Sequence, residues 1–457
     1  MQTPSGIFQI HKAHFSTDYS GIDHLYPPHF IWPEIPHKVF ISEYLPNFFR
    51  QKSHMIYVHF PFCGKKCLFC RQFSIVPEDP GIYSQYEDAL IEEIALYAQH
   101  LAHTNIVHLH FGGGTPTLFR LPRIVRAFKS RFSTSAALSI NVEATPDSLN
   151  EEVLLGLKEM GATRLVIGVQ SFDARVLREI KRPPLDPGRF EKLILFCRKL
   201  RIASVCIELI AGLPSQTEES FLQDIDAALG LGITSIRLYP LFVTPLTALW
   251  RDSFTSRGIG ASDNTWRIFF AGAKRLQLKG WHDRHADFCL EDSELNPVHA
   301  LARKGIPLLG MGISSITETY ASHLAGGVTM LRYMNTLNLD TYFARIRRGE
   351  FPISSGWVLS PEESLRGYLV RATVRDGIID AKKAGSFLRR KMGLDDLRRM
   401  FGREFKYLEQ VARVDYNYDR DTAHLSLHPM AHLHARIFYS RKIMEECMRR
   451  IRQMSFQ

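Results

Sequence analysis

No apolar run in the 457-residue chain approaches the roughly 18 residues that a membrane span requires; stretches such as Leu165–Val169 stop far short. The opening residues, Met1 to Phe15, hold no continuous apolar segment of the kind a secretory leader uses. Low-complexity tracts are absent, and no repeat exceeds a plain strand–helix alternation. Cysteine is scarce: seven residues, an odd number that suits a disulfide framework poorly. With no helical span and no secretory leader read in these residues, a cytoplasmic protein is the expectation. Hydrophobic residues at 45% and charged residues at 23% sit near the globular average, which excludes collagenous, disordered and coiled-coil readings.

What is present has a sign. The formal charge is +10 at pH 7, which favours anionic partners such as nucleic acid, a membrane surface or a polycarboxylate. Many of the basic residues fall late, at Arg389, Arg390, Lys391, Arg398, Arg399, Arg441, Lys442, Arg449, Arg450 and Arg452. They read as solvated helix faces, so no nucleic-acid role is expected from them.

From Ile56 onward short β-prone runs alternate with helical patterns: Ile56–Phe60, Ile106–Phe111, Leu138–Glu143, Leu165–Gln170, Val205–Ala211 and Ile236–Leu241. Strands separated by helices give βαβ units and a parallel sheet. The fold class expected is α/β, a partial (β/α)6 TIM-like barrel with an N-terminal arm and an α-rich C-terminal domain; a doubly wound sheet is the competitor. The division expected is 1–53 for the arm, 54–250 for the barrel, 251–360 for a post-barrel segment that encloses substrate, and 361–457 for the basic C-terminal domain. A hairpin is expected at Val414–Leu427. In either fold, ligands gather at the C-terminal ends of the strands.

Chemistry concentrates there. Cys63, Cys67 and Cys70 form a C-x3-C-x2-C loop directly after the first strand, while Cys197, Cys206, Cys289 and Cys447 are scattered and read as buried small side chains. Three thiolates can hold three irons of a cubane cluster and leave the fourth open. Lys65, Lys66 and Arg71 put positive charge beside the loop, which favours thiolate. Zinc is the competing use, but no fourth Cys or His follows at zinc spacing. An open iron is suited to a bidentate ligand, such as the amino and carboxylate groups of S-adenosylmethionine.

The loop resembles the radical S-adenosylmethionine signature. Tyr57-Val58-His59-Phe60-Pro61-Phe62-Cys63 resembles its oxygen-independent coproporphyrinogen III oxidase branch, as does His110-Phe111-Gly112-Gly113-Gly114-Thr115-Pro116-Thr117. Val142-Glu143-Ala144-Thr145-Pro146, Ile167–Phe172, Glu208–Pro214, Leu309–Ile316 and Tyr333–Thr336 continue the likeness over roughly residues 50–370. The resemblance implies a [4Fe-4S] cluster on Cys63, Cys67 and Cys70, and a first S-adenosylmethionine at Tyr57, Gly113, Gly114, Thr115 and Glu143. It implies a second molecule at Phe69, Gln170, Arg182, Glu208, Phe242 and Ile316, where Glu208 replaces the family's Asp.

The implied activity is generation of a 5′-deoxyadenosyl radical and oxidative decarboxylation of coproporphyrinogen III in heme biosynthesis, with a tetrapyrrole as substrate and a reductive electron donor as partner. Two departures weigh against carrying the reaction over unchanged. Gln72 stands where the family has a fourth cysteine, and Asp23-His24-Leu25-Tyr26-Pro27 lacks the arginine that precedes the family's Tyr-Pro pair. The alternatives are a methylase using two S-adenosylmethionine molecules and a heme-binding trafficking protein. His424, His428, His432 and His434 cluster in sequence, but Pro429 interrupts helical spacing between them. His282 and His285, near Asp283 and Asp287, could line a substrate cavity or serve as ordinary loop residues.

Overall fold

The computed structural model describes residues 26–101, 103–243, 247–249, 262–284, 287–290, 297–322, 328–426 and 435–454. Two compact units emerge. One comprises Arg50–Thr317 with Met334–Ser354; the other takes the described residues of Met1–Phe49, Glu318–Tyr333 and Ser355–Gln457.

The first unit carries the strand–helix alternation. Its strands are β1 (Ser53–Phe60), β2 (Asn105–Gly113), β3 (Ser133–Ala144), β4 (Arg164–Gln170), β5 (Ser204–Ala211) and β6 (Ser235–Pro240). They pair in parallel, each with the next in sequence. The intervening helices are α1 (Gly81–Leu101), α2 (Leu121–Arg131), α3 (Glu151–Met160), α4 (Ala174–Glu179), α5 (Pro187–Lys199) and α6 (Glu218–Gly230), followed by α7 (Asp263–Leu278). This is the six-stranded partial barrel expected from sequence. Beyond β6 the sheet turns antiparallel through β7 (His282–Arg284) and β8 (Asp287–Cys289), with β8 against β6. On the other side β9 (Leu308–Met311) lies parallel to β1.

Burial explains why these runs are nearly continuous in apolar residues. All seven residues of β4 are buried, as a parallel strand covered on both faces must be. Helix ends are fixed by side chains: the Asn150 carboxamide accepts from Val153 N at 2.8 Å to start α3, and Gly161 ends it at φ 86°. The amphipathic face of α3 then buries Leu154, Leu157 and Met160. Each such side chain contributes about 1.5–3 kcal/mol by leaving water.

The second unit is helical with a small sheet. Its helices include Pro361–Arg371, Ala381–Phe387, Leu394–Met400, Gly402–Val411 and Arg441–Met454. The expected hairpin forms from β14 (Arg413–Asn417) and β15 (Thr422–Ser426), with β13 (Ile378–Asp380) antiparallel to β15; Leu427 lies outside the described residues. The chain passes between the units inside β10 (Ile316–Ser322), β11 (Val328–Asn335) and β12 (Ile353–Val358). The segment expected as 251–360 is therefore shared between them. Within the second unit, Glu318 accepts from Arg332 and, at 2.7 Å, from Arg371 Nη1. Tyr26 is buried there and its hydroxyl donates to Glu363. Asp23, His24 and Leu25 lie outside the described residues. Among the described residues no helix is long and apolar enough to cross a membrane.

Candidate active site

The cysteine loop follows β1 and is closed at its neck by a parallel bridge between Phe62 and Ile75, where Cys63 N donates to Ile75 O at 2.9 Å and Ile75 N to Pro61 O at 2.7 Å. Inside it, Lys66 Nζ donates to Gln72 O (3.0 Å), Ser74 O (3.2 Å) and Ser74 Oγ (2.6 Å). The two residues between Cys67 and Cys70 anchor the loop: Leu68 is buried among Val176, Leu177, Ile180, Leu213 and Leu241, with Phe69 packed against the same cluster. Cys70 N donates to Cys67 O at 3.2 Å. Spacing, backbone turn and apolar plug together aim three thiols at one cleft.

All three cysteines are free thiols. Burial pushes the Cys63 and Cys70 thiols up; the Thr115 hydroxyl opposes this at Cys63, and at Cys70 the Gln72 backbone N–H, Lys66 and Arg182 do so. Arg182 Nε donates to Cys67 Sγ at 3.3 Å. The positive charge expected from Lys65, Lys66 and Arg71 is thus delivered chiefly by Lys66 and by Arg182, a residue far away in sequence.

The glycine run after β2 has an internal reason. A Cβ on Gly113, at φ 109°, would sit 2.6 Å from the His59 ring. One on Gly114 would sit 2.6 Å from Phe62 O and 3.0 Å from Cys63 Sγ. Gly114 N donates to Phe60 O at 2.6 Å and Thr115 N to Phe62 O at 2.9 Å. Glycine is needed for the cysteine loop to lie against β2, whatever else occupies the cleft.

The floor is acidic and paired. Glu143 Oε1 meets His110 Nε2 at 2.9 Å, and Oε2 accepts from Gly113 N at 3.2 Å. Burial opposes ionisation of Glu143, but His110, Arg237 and the Gly113 N–H outweigh it and hold the carboxyl below its ordinary range. Burial pulls His59 down to about 4, so the ring is neutral near pH 7. Its Nε2 lies 2.9 Å from Phe73 O and its Nδ1 3.1 Å from Tyr57 Oη, which assigns Nε2–H as donor and Nδ1 as acceptor. Glu208 meets Arg237 Nη1 at 3.2 Å.

The cleft has a volume of about 290 Å³. It collects Cys63, Cys67, Cys70, Gly113, Gly114, Thr115 and Glu143, together with Phe69, Gln170, Arg182, Glu208 and Phe242. Tyr57 and Ile316 are not among the lining residues; the Tyr57 ring stands 5.5 Å from that of His110, and Ile316 begins β10. Gln170 adopts φ 73°, and its Oε1 is buried without a hydrogen-bond partner. A non-glycine residue held there is strained, and strain of this kind gathers at functional sites. Asp224 fixes the turn by accepting from Phe172 N at 2.6 Å and Ser171 Oγ at 2.8 Å.

His110, Arg237 and Asp287 were not singled out as site residues from sequence. The available signal was polar residues at period two, such as His108 with His110, inside otherwise apolar strands. His282 is exposed and His285 lies outside the described residues. His424 is exposed and 3.2 Å from Thr422 Oγ1; His428, His432 and His434 lie outside. Cys197, Cys206, Cys289 and Cys447 are buried, as expected.

A partial barrel whose strand ends bring three thiols, a glycine turn and a paired glutamate into one cleft defines a radical S-adenosylmethionine enzyme, and residues 57–228 match the Radical SAM superfamily model. The chain is 37% identical over 344 residues to the oxygen-independent coproporphyrinogen III oxidase of Salmonella typhimurium, covering 71% of this chain and 72% of that one. It is 25% identical over 344 residues to anaerobilin synthase of Escherichia coli O157:H7, covering 72% and 73%. Among solved structures, coproporphyrinogen III oxidase from Escherichia coli superimposes with a TM-score of 0.72 at 22% identity, covering 88% of this chain and 92% of that one. The chain belongs to the oxygen-independent coproporphyrinogen III oxidase family and is a radical S-adenosylmethionine oxidoreductase.

Membership implies a [4Fe-4S] cluster and S-adenosylmethionine. The donor set fits the cluster: three free thiols face one cleft beside two cationic side chains. Among the described residues no three His, Cys, Asp or Glu side chains converge as ligands of a single ion would. A cubane instead takes one thiolate per iron.

Proposed function

We propose that this protein acts in anaerobic tetrapyrrole biosynthesis, converting propionate groups of coproporphyrinogen III to the vinyl groups of protoporphyrinogen IX. The observation that carries the reading is the convergence of Cys63, Cys67 and Cys70 with Gly113, Gly114 and Glu143 on one cleft. It does so in a chain 37% identical to an oxidase. When bound on the three thiolates, a [4Fe-4S] cluster with one open iron supplies the electron for reductive cleavage of S-adenosylmethionine to a 5′-deoxyadenosyl radical.

The remaining work falls to the protein. Gly113, Gly114, Thr115 and Glu143 line the part of the cleft beside Cys63 and, with Tyr57, suit the first S-adenosylmethionine. The ionised Glu143 accepts hydrogen bonds from ammonium or hydroxyl groups. Phe69, Gln170, Arg182, Glu208 and Phe242 would hold a second molecule, with Ile316 as the outlying member of that set. Exposed Lys65, Arg71 and Lys181 put positive charge on the rim, which suits a polycarboxylate. Each propionate that becomes a vinyl group releases carbon dioxide, one hydrogen atom and one further electron, so an acceptor is required as well as the reductive donor. The enclosing cleft keeps water from the reacting carbon.

Gln72, whose carbonyl is held by Lys66, favours a second reading: a different transformation of a tetrapyrrole, including methylation. Anaerobic reconstitution and product analysis separate the two. Decarboxylation yields carbon dioxide and 5′-deoxyadenosine from coproporphyrinogen III. Methylation yields S-adenosylhomocysteine and a heavier tetrapyrrole. Consumption of S-adenosylmethionine without carbon dioxide would rule out the decarboxylase.

A further inference from the structure

Three charged side chains stand in a row across three neighbouring strands. Glu208 of β5 is in register with Arg237 of β6, and Arg237 with Asp287 of β8. The guanidinium grips Asp287 with two prongs, Nε to Oδ1 at 2.5 Å and Nη2 to Oδ2 at 2.9 Å, and reaches Glu208 Oε1 with Nη1 at 3.2 Å. Tyr239 Oη stands 3.5 Å from the same Oε1. Asp287 is 1% exposed and lies away from the cleft, whereas Glu208 lines it. The other carboxylate oxygen, Oε2, lies on the Gly168 side, 3.7 Å from where a Cβ on that glycine would sit, with the Gln170 carboxamide nitrogen 2.7 Å from the same point.

We infer that Arg237 and Asp287 are positioning residues that aim Glu208, tying one carboxylate oxygen to the guanidinium and leaving the other, beside Gln170, for a hydrogen-bond donor of the bound ligand. The inference rests on the reading of Glu208 as part of a second S-adenosylmethionine site and names how that site is built. Glutamate reaches one methylene further than aspartate. A free glutamate could fold its carboxylate over several rotamers, and drawing Oε1 back toward β6 removes that freedom. Asp287 in turn fixes the guanidinium plane, since a two-pronged pair sets orientation as well as distance. Oε1 already accepts from the guanidinium, so the carboxylate paired with it offers Oε2 as an acceptor, and the ligand group it meets is a donor, an ammonium or a ribose hydroxyl. Glu143, on the other side, takes its hydrogen bonds from His110 and Gly113 and feels Arg237 only through its charge.

The test counts S-adenosylmethionine bound to anaerobically reconstituted protein without reductant, so that none is cleaved. Wild type is expected to bind two molecules. Arg237→Gln and Asp287→Asn should weaken one of the two by tenfold or more and the other by much less, and Arg237→Lys should recover part of the loss. Equal weakening at both sites, or no weakening, overturns the inference. A wild type that binds one molecule would refute the second-site reading itself. The row is then judged on ligand-free protein by thermal unfolding of Arg237→Gln, Glu208→Gln and the double variant. The double variant should unfold at a higher temperature than Arg237→Gln alone, because one of the two carboxylates stranded by loss of the arginine is gone. Simple additivity overturns the pairing. Glu208→Gln retains the Arg237–Asp287 pair and so guards against a fold lost in the arginine variant.

Discussion

Arg182 Nε lies 3.3 Å from Cys67 Sγ, while its Nη1 donates to the carbonyl of Gly168 on β4. One side chain therefore ties the cysteine loop to the barrel wall at the point where Gln170 begins its strained turn. The guanidinium also stands 5.9 Å from the Phe69 ring centre, so the residue between two of the thiols shares its charge.

This contact predicts a redox effect. A cationic donor to a cluster thiolate stabilises the reduced, more negative form. Arg182→Ala should shift the cluster potential to more negative values; a charged hydrogen bond worth about 1.5 kcal/mol corresponds to roughly 60 mV for one electron. Potentiometric titration of the reconstituted protein, followed by electron paramagnetic resonance, measures it. An unchanged potential would mean that Arg182 does not act on the cluster.

The cysteines divide sharply. Cys67→Ala should abolish cluster assembly, read as iron and sulfide content and visible absorbance. Cys197 is buried in α5, so Cys197→Ala should cost about 1 kcal/mol in stability and leave cluster content intact. Equal cluster content in both variants would contradict the ligand assignment.

Glycines at two positions of the same site should behave oppositely. A methyl on Gly114 would press on Phe62 O and Cys63 Sγ, backbone and ligand that cannot both yield without moving the loop. Gly64, between the first two thiols, has nothing within 4 Å of an added Cβ. Gly114→Ala should therefore lower cluster incorporation severalfold and Gly64→Ala should not. Matching iron content in the two would show that the close approach of the loop to β2 is dispensable.

Much of this site was legible in the sequence because its parts are local. The C-x3-C-x2-C loop, the glycine run and the strand-end Glu143 each announce themselves within a few residues, and the period of the apolar runs gives the barrel. What was not legible is what the topology brings in from elsewhere. Arg237 reads as an ordinary polar residue in a short strand until β8 returns antiparallel and sets Asp287 beside it. Arg182 matches a cofactor position by family register, yet its contact with Cys67 depends on how α4 ends. Tyr57 and Ile316 show the reverse: family register marks them, yet neither is among the residues that line the cleft.

A buried carboxyl on α1 gives a pH signature. Glu93 of α1 is 0% exposed. Its Oε2 accepts from Gly312 N (2.8 Å) and Tyr342 Oη (2.7 Å), and its Oε1 from Asn335 Nδ2 (2.8 Å). Burial pushes its pKa up to about 7 from 4.5, against the pull of those three donors. The folded state then binds more protons than the unfolded state between these values, so stability falls as pH rises through the window. The contribution is complete below pH 4.5 and is lost as pH passes about 7, up to about 3 kcal/mol in all. Glu93→Gln removes the titration. The difference in unfolding temperature between wild type and variant should favour wild type most near pH 5 and least near pH 8, with other titrating groups cancelling. A difference that is constant across that range would mean that Glu93 titrates as an ordinary carboxylate and that the turn at Gly312 is held by a charged, not a protonated, side chain.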